Sequence, residues 1–135
     1  MESNIHGAPV PKGKLWTGRV LSGVAALFLF VDAGMKLAMV APVVQGSIEL
    51  GYPPSTMFGI GLVLLLCTIL YVIPRTSIFG AVLLTGYLGG AIATHVRVGN
   101  PLFTHVLFPI YVAAMIWGGL YLRDTRLRIL ISNID

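Results

Sequence analysis

The chain has 135 residues, 56% hydrophobic and 10% charged, with a mean hydropathy of +0.89. Soluble domains carry about 25% charged residues, so this balance excludes a soluble domain and describes a membrane protein. The net charge of +4 comes mostly from Lys12, Lys14 and Arg19 at the start and Arg123, Arg126 and Arg128 at the finish. No basic face lies between them, which suits membrane anchoring and excludes a nucleic-acid partner.

In chain order, residues 1–14 are polar with two prolines and are expected to form a flexible tail. Residues 15–40 form the first apolar span. It is too long for the core of a signal peptide and is read as a retained helix. The connection Ala41–Pro54 has Pro42 at a helix start and Gly51 at a stop, which suits a short interfacial helix. The second span runs over residues 55–73. "PRTS" then turns the chain into a third span over residues 78–96. "RVGNP" breaks that helix, and the fourth span covers residues 102–122. Residues 129–135 are left as a C-terminal tail, so residues 15–128 are one transmembrane domain. At roughly 20 residues per span, the expectation is an all-α integral membrane four-helix bundle. A membrane β-barrel needs alternating segments of about ten residues, and nothing here alternates in that way.

The basic residues orient the bundle. The two tails and the second connection, with Arg75, carry most of them, and the first connection carries none. The positive-inside rule then places both termini in the cytoplasm of a multi-pass inner (plasma) membrane protein, with Arg97 alone among the connections on the wrong side. Small residues recur four apart at Gly18, Ser22 and Ala26, at Gly86 and Gly90 with Thr94 a turn further on, and at Ala114 and Gly118. Such spacing serves close helix approach and opens a route to homo-oligomers.

Within "LFLFVDAGMKLAMV", Asp32 and Lys36 stand four residues apart in an otherwise apolar helix. A charge at the centre of a span costs about 2.5–3.5 kcal/mol. The i,i+4 spacing, acid before base, lets the two pair on one face. With helix through Val40, Asp32 would lie roughly 12 Å from the helix end. The topology brings these two together with Gln45, Glu49, His95, Arg97, Asn100 and His105 on the outer side, while the inner half is nearly bare. Tyr87, Ala91 and His95 recur at helical spacing. They predict a stripe with a phenol below, an imidazole above and room between for a flat ligand. If the helix ends at Val96, Arg97 can turn inward to Asp32 or Glu49. A structural reading stands beside this one: Asp32–Lys36 as an ion pair that fixes register, Arg97 reaching lipid phosphates, and both histidines as interfacial residues.

The candidate site is therefore Asp32 and His95 as proton-handling groups, with Lys36, Glu49, Tyr87, Ala91, Arg97 and His105 as ligand-binding residues. No H-x-x-H or E-x-x-H spacing supports a metal site, and none is expected. Haem ligation by His95 or His105 is a lesser alternative to a quinone. Cys67 is the one cysteine, so dithiol chemistry within the chain is excluded.

The stretches "VDAGMKL", "TGYLGGAIATHVRVGNPLFTH" and "YLRDTRLR" resemble the DoxX-like family of small bacterial membrane proteins, over about residues 18–128. The resemblance implies a four-helix membrane bundle. Broader relatives include a subunit of a thiosulfate:quinone oxidoreductase, and some members are linked to oxidative-stress redox complexes. Thiol-dependent relatives carry paired cysteines, which this chain lacks. The expected function is a redox-associated subunit in the lipid bilayer, working with a redox partner protein and holding a quinone-like or other apolar molecule in an outward-facing polar pocket. The alternatives are a small membrane enzyme using acid–base chemistry on a lipophilic substrate, and a structural scaffold subunit.

Overall fold

The computed structural model describes residues 11–134, and these form helices and turns with no strand among them. In order they are α1 (Lys12–Leu37), α2 (Ala41–Glu49), α3 (Thr56–Val72), α4 (Ser77–Arg97), a π-helical segment (Leu102–Val106), α5 (Phe108–Arg123) and α6 (Thr125–Ser132). The stretches Lys12–Leu37, Ser77–Arg97 and Leu102–Arg123 are long and apolar enough to cross a membrane. Thr56–Val72 is a shorter apolar helix of 17 residues, at the lower edge of the spanning range. The four pack in a ring: α1 on α3, α3 on α4, α4 on α5, and α5 back on α1.

The boundaries differ from the expected ones in three places. Most of the expected N-terminal tail lies outside the described residues, but Lys12–Lys14 already form the first turn of α1. The expected C-terminal tail begins inside α6, which runs to Ser132. The first span stops at Leu37 rather than Val40, because Met39 adopts a left-handed conformation (φ 55°) and its N–H turns back to the Lys36 carbonyl. Asp32 therefore lies about 7.5 Å from the end of its helix, nearer the polar boundary than a helix through Val40 would place it.

Lipid tails are as apolar as leucine, so close packing rather than water exclusion must hold these helices together. Each presents one stripe inward, Ala25, Leu29 and Ala33 on α1 meeting Leu64 and Tyr71 on α3, Leu84 and Leu88 on α4, and Val112, Ile116 and Leu120 on α5. Leu27, Val63 and Phe79 are exposed on the opposite faces. α1 crosses α5 closely. A Cβ on Gly119 would stand 2.4 Å from the Ser22 Oγ and 2.8 Å from the Ser22 backbone nitrogen, and one on Gly18 would stand 2.8 Å from the Gly119 carbonyl oxygen. The expected pairs Gly86/Gly90 and Ala114/Gly118 do not serve this purpose. Gly86, Gly90 and Gly118 have open space where a Cβ would be, because they sit on faces that meet no neighbouring helix closely.

A relay of hydrogen bonds locks the end that carries the basic residues. The fully buried Tyr71 hydroxyl donates to the Ile116 carbonyl at 2.7 Å. Its single proton is then spent, so the Ser22 hydroxyl must donate to it, at 2.8 Å. Arg123 Nε in turn donates to Ser22 Oγ at 2.9 Å, and its guanidinium lies over the Tyr71 ring. Asp124 caps α6 by accepting from the Arg126 backbone N–H at 2.8 Å, and it pairs with the Arg126 guanidinium at 2.8 Å. Burial alone would raise the Asp124 carboxyl, but the Arg126 side chain and backbone outweigh it and hold that carboxyl below the usual range.

Candidate functional site

At the opposite end the bundle opens into a cavity of about 570 Å³, within the range of small-molecule sites. Its body is apolar, with Phe28 and Leu29 from α1, Met57 and Ile60 from α3, Leu88 from α4, and Phe108, Pro109 and Val112 from α5. Phe28 and Phe108 meet edge to face with ring centroids 5.3 Å apart. Gly86, Gly90 and Ala91 leave α4 thin beside it, while Val43, Gly46, Ser47 and Leu50 bring α2 across its wall.

The polar groups on the wall come from three separated stretches of chain. Asp32 and Lys36 stand on α1, with Lys36 Nζ donating to Asp32 Oδ1 at 2.6 Å. Their side chains are 25% and 15% exposed respectively, so the pair is largely enclosed. Gly61 of α3 makes room for it, since a Cβ there would stand 2.8 Å from the Lys36 Cβ. Tyr87, Thr94 and His95 stand on α4, and Tyr52 follows α2.

Two helix ends build the rim. α2 and α4 both close with a glycine in the left-handed region, Gly51 at φ 86° and Gly99 at φ 75°. In each, the next residue's N–H reaches back five residues, Tyr52 to the Ser47 carbonyl at 2.9 Å and Asn100 to the His95 carbonyl at 3.0 Å, the pattern of a Schellman stop. This return folds both side chains onto α4. The Thr94 hydroxyl donates to the Gly90 carbonyl at 2.8 Å, so its bond with Tyr52 at 2.7 Å must be donated by the phenol. The Asn100 amide nitrogen, which can only donate, stands 2.7 Å from His95 Nδ1. His95 Nδ1 is therefore the acceptor, and in the neutral ring the proton sits on Nε2.

Asp32, Lys36, Tyr87, Ala91 and His95 line the same cavity, the last three from one face of α4. Glu49, Arg97 and His105 do not line it. Glu49 is exposed at the end of α2. α4 runs through Arg97 rather than ending at Val96, so Arg97 points well away from His95 around the helix. Its guanidinium donates to the Leu50 carbonyl beside Gly51, and not to Asp32 or Glu49. His105 is also exposed, and its ring stands edge to face on His95 with centroids 5.6 Å apart. Of His95 and His105, His95 is the one on the wall, where Lys36 is the other charged or ring nitrogen donor. Among the described residues no group of three or more His, Cys, Asp or Glu is placed to hold a metal ion.

Tyr52, Thr94 and the two glycines of the α4 wall are additional members of the site. Tyr52 had a legible signal, its place directly after a glycine stop. Gly86 and Gly90 carried the opposite signal, because G-x-x-x-G reads as a packing face.

Comparison with protein families matches residues 20–119 to a family described as the DoxX-like family. Comparisons with curated proteins and with solved structures give no match.

Proposed function

The chain belongs to the DoxX-like family, and from that premise we propose that it is a redox-associated membrane subunit that holds a quinone-like, flat apolar compound in this cavity. The observation that carries the reading is the meeting of the Asp32–Lys36 pair, Tyr87 and His95 on one mostly apolar wall. Apolar surface encloses the ring, and donors placed on separate helices fix its carbonyl oxygens. Lys36 has three N–H donors and its bond to Asp32 occupies one. His95 offers Nε2–H, held in place by Asn100 behind it.

A quinone supplies two-electron chemistry coupled to two protons, and the chain's part is to position the ring and move those protons. His95 would act as an acid only as the imidazolium, with the Asn100 amide oxygen turned to accept from Nδ1–H, and would then give its Nε2 proton to the oxygen it faces and return to the neutral ring. Asp32 balances the charge of Lys36 and carries protons between the cavity and the nearby membrane boundary. Electrons come from a partner protein or its bound redox group, because no carrier is evident in the sequence.

In the same reading the cavity opens on the outer side of an inner (plasma) membrane and both termini are cytoplasmic. The support is the gathering of Arg19, Arg75, Arg123 and Arg126 at the far end of the bundle. With Cys67 replaced by serine, an impermeant thiol reagent applied from outside should label Glu49→Cys and spare Arg126→Cys. The reverse pattern overturns the orientation.

Native mass spectrometry of gently purified protein tests the ligand. A quinone-mass adduct should be present, be reduced in His95→Gln, and be lost in Ala91→Phe, which fills the space beside the ring. Equal retention in all three proteins removes the reading. A second reading, acid–base catalysis on a lipophilic substrate, is favoured by the same carboxylate, imidazole and phenols standing together. Turnover by the purified protein without any electron donor would select it.

A further inference from the structure

We propose that the basic end of the bundle is a binding site for the phosphate headgroup of an anionic phospholipid, formed where α1, the α3–α4 turn and the α5–α6 junction meet. A cleft of about 470 Å³ opens there, lined by Arg19, Arg75, Arg123, Arg126, Asp124 and Thr125 among others. Four guanidiniums face one carboxylate.

The roles of those groups differ. Arg126 is committed to the protein, since it pairs with Asp124 and donates to the Pro74 carbonyl. That bond ties the α5–α6 junction to the α3–α4 turn and braces the cleft. Arg123 is held by one donor, its Nε on Ser22, and by the face of Tyr71. A guanidinium has five N–H donors in a rigid fork suited to phosphate, so this anchoring orients the group and leaves most of its donors for a ligand. Arg75 and Arg19 are exposed and stand on the two flanks, with Arg19 lying over Trp16. One oriented guanidinium at the base and two exposed ones at the sides make a phosphate clamp.

The surroundings select a lipid over a soluble anion. The cleft lies at the ends of helices long and apolar enough to cross a membrane, which would set it at headgroup depth. Trp16, 61% exposed, and Tyr121, 45% exposed, flank that level as interfacial aromatics do. α6 carries Arg126 and Arg128 together with exposed Leu130 and Ile131, the composition of a helix lying in the interface. Acyl chains would run down beside the exposed apolar faces of the spanning helices while the phosphate sits among the guanidiniums.

The test uses the whole chain in nanodiscs containing phosphatidylglycerol and phosphatidylcholine, with retained lipid read by native mass spectrometry. Phosphatidylglycerol should be retained selectively. In Arg19→Gln/Arg75→Gln its affinity should fall roughly 100-fold, at about tenfold for each charged hydrogen bond to the phosphate that is lost. Lys12→Gln/Lys14→Gln removes equal charge at the same end but outside the cleft, and should leave the preference nearly intact. Thermal melting of both variants establishes that they fold, and Arg75→Lys, which keeps charge and loses the fork, should give an intermediate affinity. The proposal is overturned by equal retention of the two lipids, by equal losses in the two double variants, or by displacement of the lipid with millimolar inorganic phosphate, which would make the cleft a free-phosphate site.

Discussion

The Asn100 amide nitrogen stands 2.7 Å from His95 Nδ1, five residues back in the chain, because the left-handed turn at Gly99 reverses the backbone between them. That contact sets the tautomer of the ring on the cavity wall. In the native protein, nitrogen-15 NMR of labelled histidine should report the Nε2–H form for His95. Asn100→Asp places an acceptor against Nδ1 and should move the proton there or produce the imidazolium. Ligand retention should then change with the tautomer. An unchanged His95 spectrum in Asn100→Asp would mean that the amide does not control the ring.

The Asp32–Lys36 pair gives a second test. Asp32→Ala strands an ammonium in a largely enclosed site, at a cost of about 3 kcal/mol for a buried pair broken on one side. Changing both residues to leucine removes both charges and should be far milder in thermal stability. If the two variants melt alike in detergent, the stranded ammonium carries no penalty and the two residues are not paired. A stable double variant that no longer retains ligand assigns the pair to binding.

Adjacent glycines on α5 should behave oppositely. Gly119→Ala drives a Cβ into the Ser22 backbone and separates α1 from α5, so it should severely destabilise the bundle. Gly118→Ala meets open space and gains helix propensity worth about 0.8–1 kcal/mol. It should melt at or above the native temperature. Similar effects at both positions would contradict the close crossing of these helices.

Acid should weaken the α5–α6 junction. The Asp124 carboxyl is held below its unfolded value by Arg126, so its contribution is full above that unfolded value, about 3.9. It is lost as pH falls through the lower, folded value. Between about pH 6 and pH 3 the native protein should lose thermal stability that Asp124→Asn, already weaker at neutral pH, does not lose. Parallel pH curves for the two proteins would show that this carboxylate is not linked to folding.

The sequence by itself determined the class of the molecule. Apolar runs of spanning length cannot fold otherwise in a bilayer, where every backbone polar group must be satisfied within the segment. The Asp32–Lys36 pair and the Tyr87–Ala91–His95 stripe were also legible, because both depend only on the period of one helix. Gly51 and Gly99 announced their stops. The tertiary structure decided matters that depend on two elements at once. Gly18 and Gly119 pack closely while Gly86 and Gly90 line a cavity, although all are small residues in apolar helices, because only the crossing positions determine which face meets a neighbour. Arg97 went to the Leu50 carbonyl because α4 continued through it and aimed it away from Asp32. Tyr52 reached Thr94, and four arginines from separate segments met around one cleft. Such meetings follow from the ring order of the helices and the depth at which each chain reversal occurs, and a one-dimensional period carries neither.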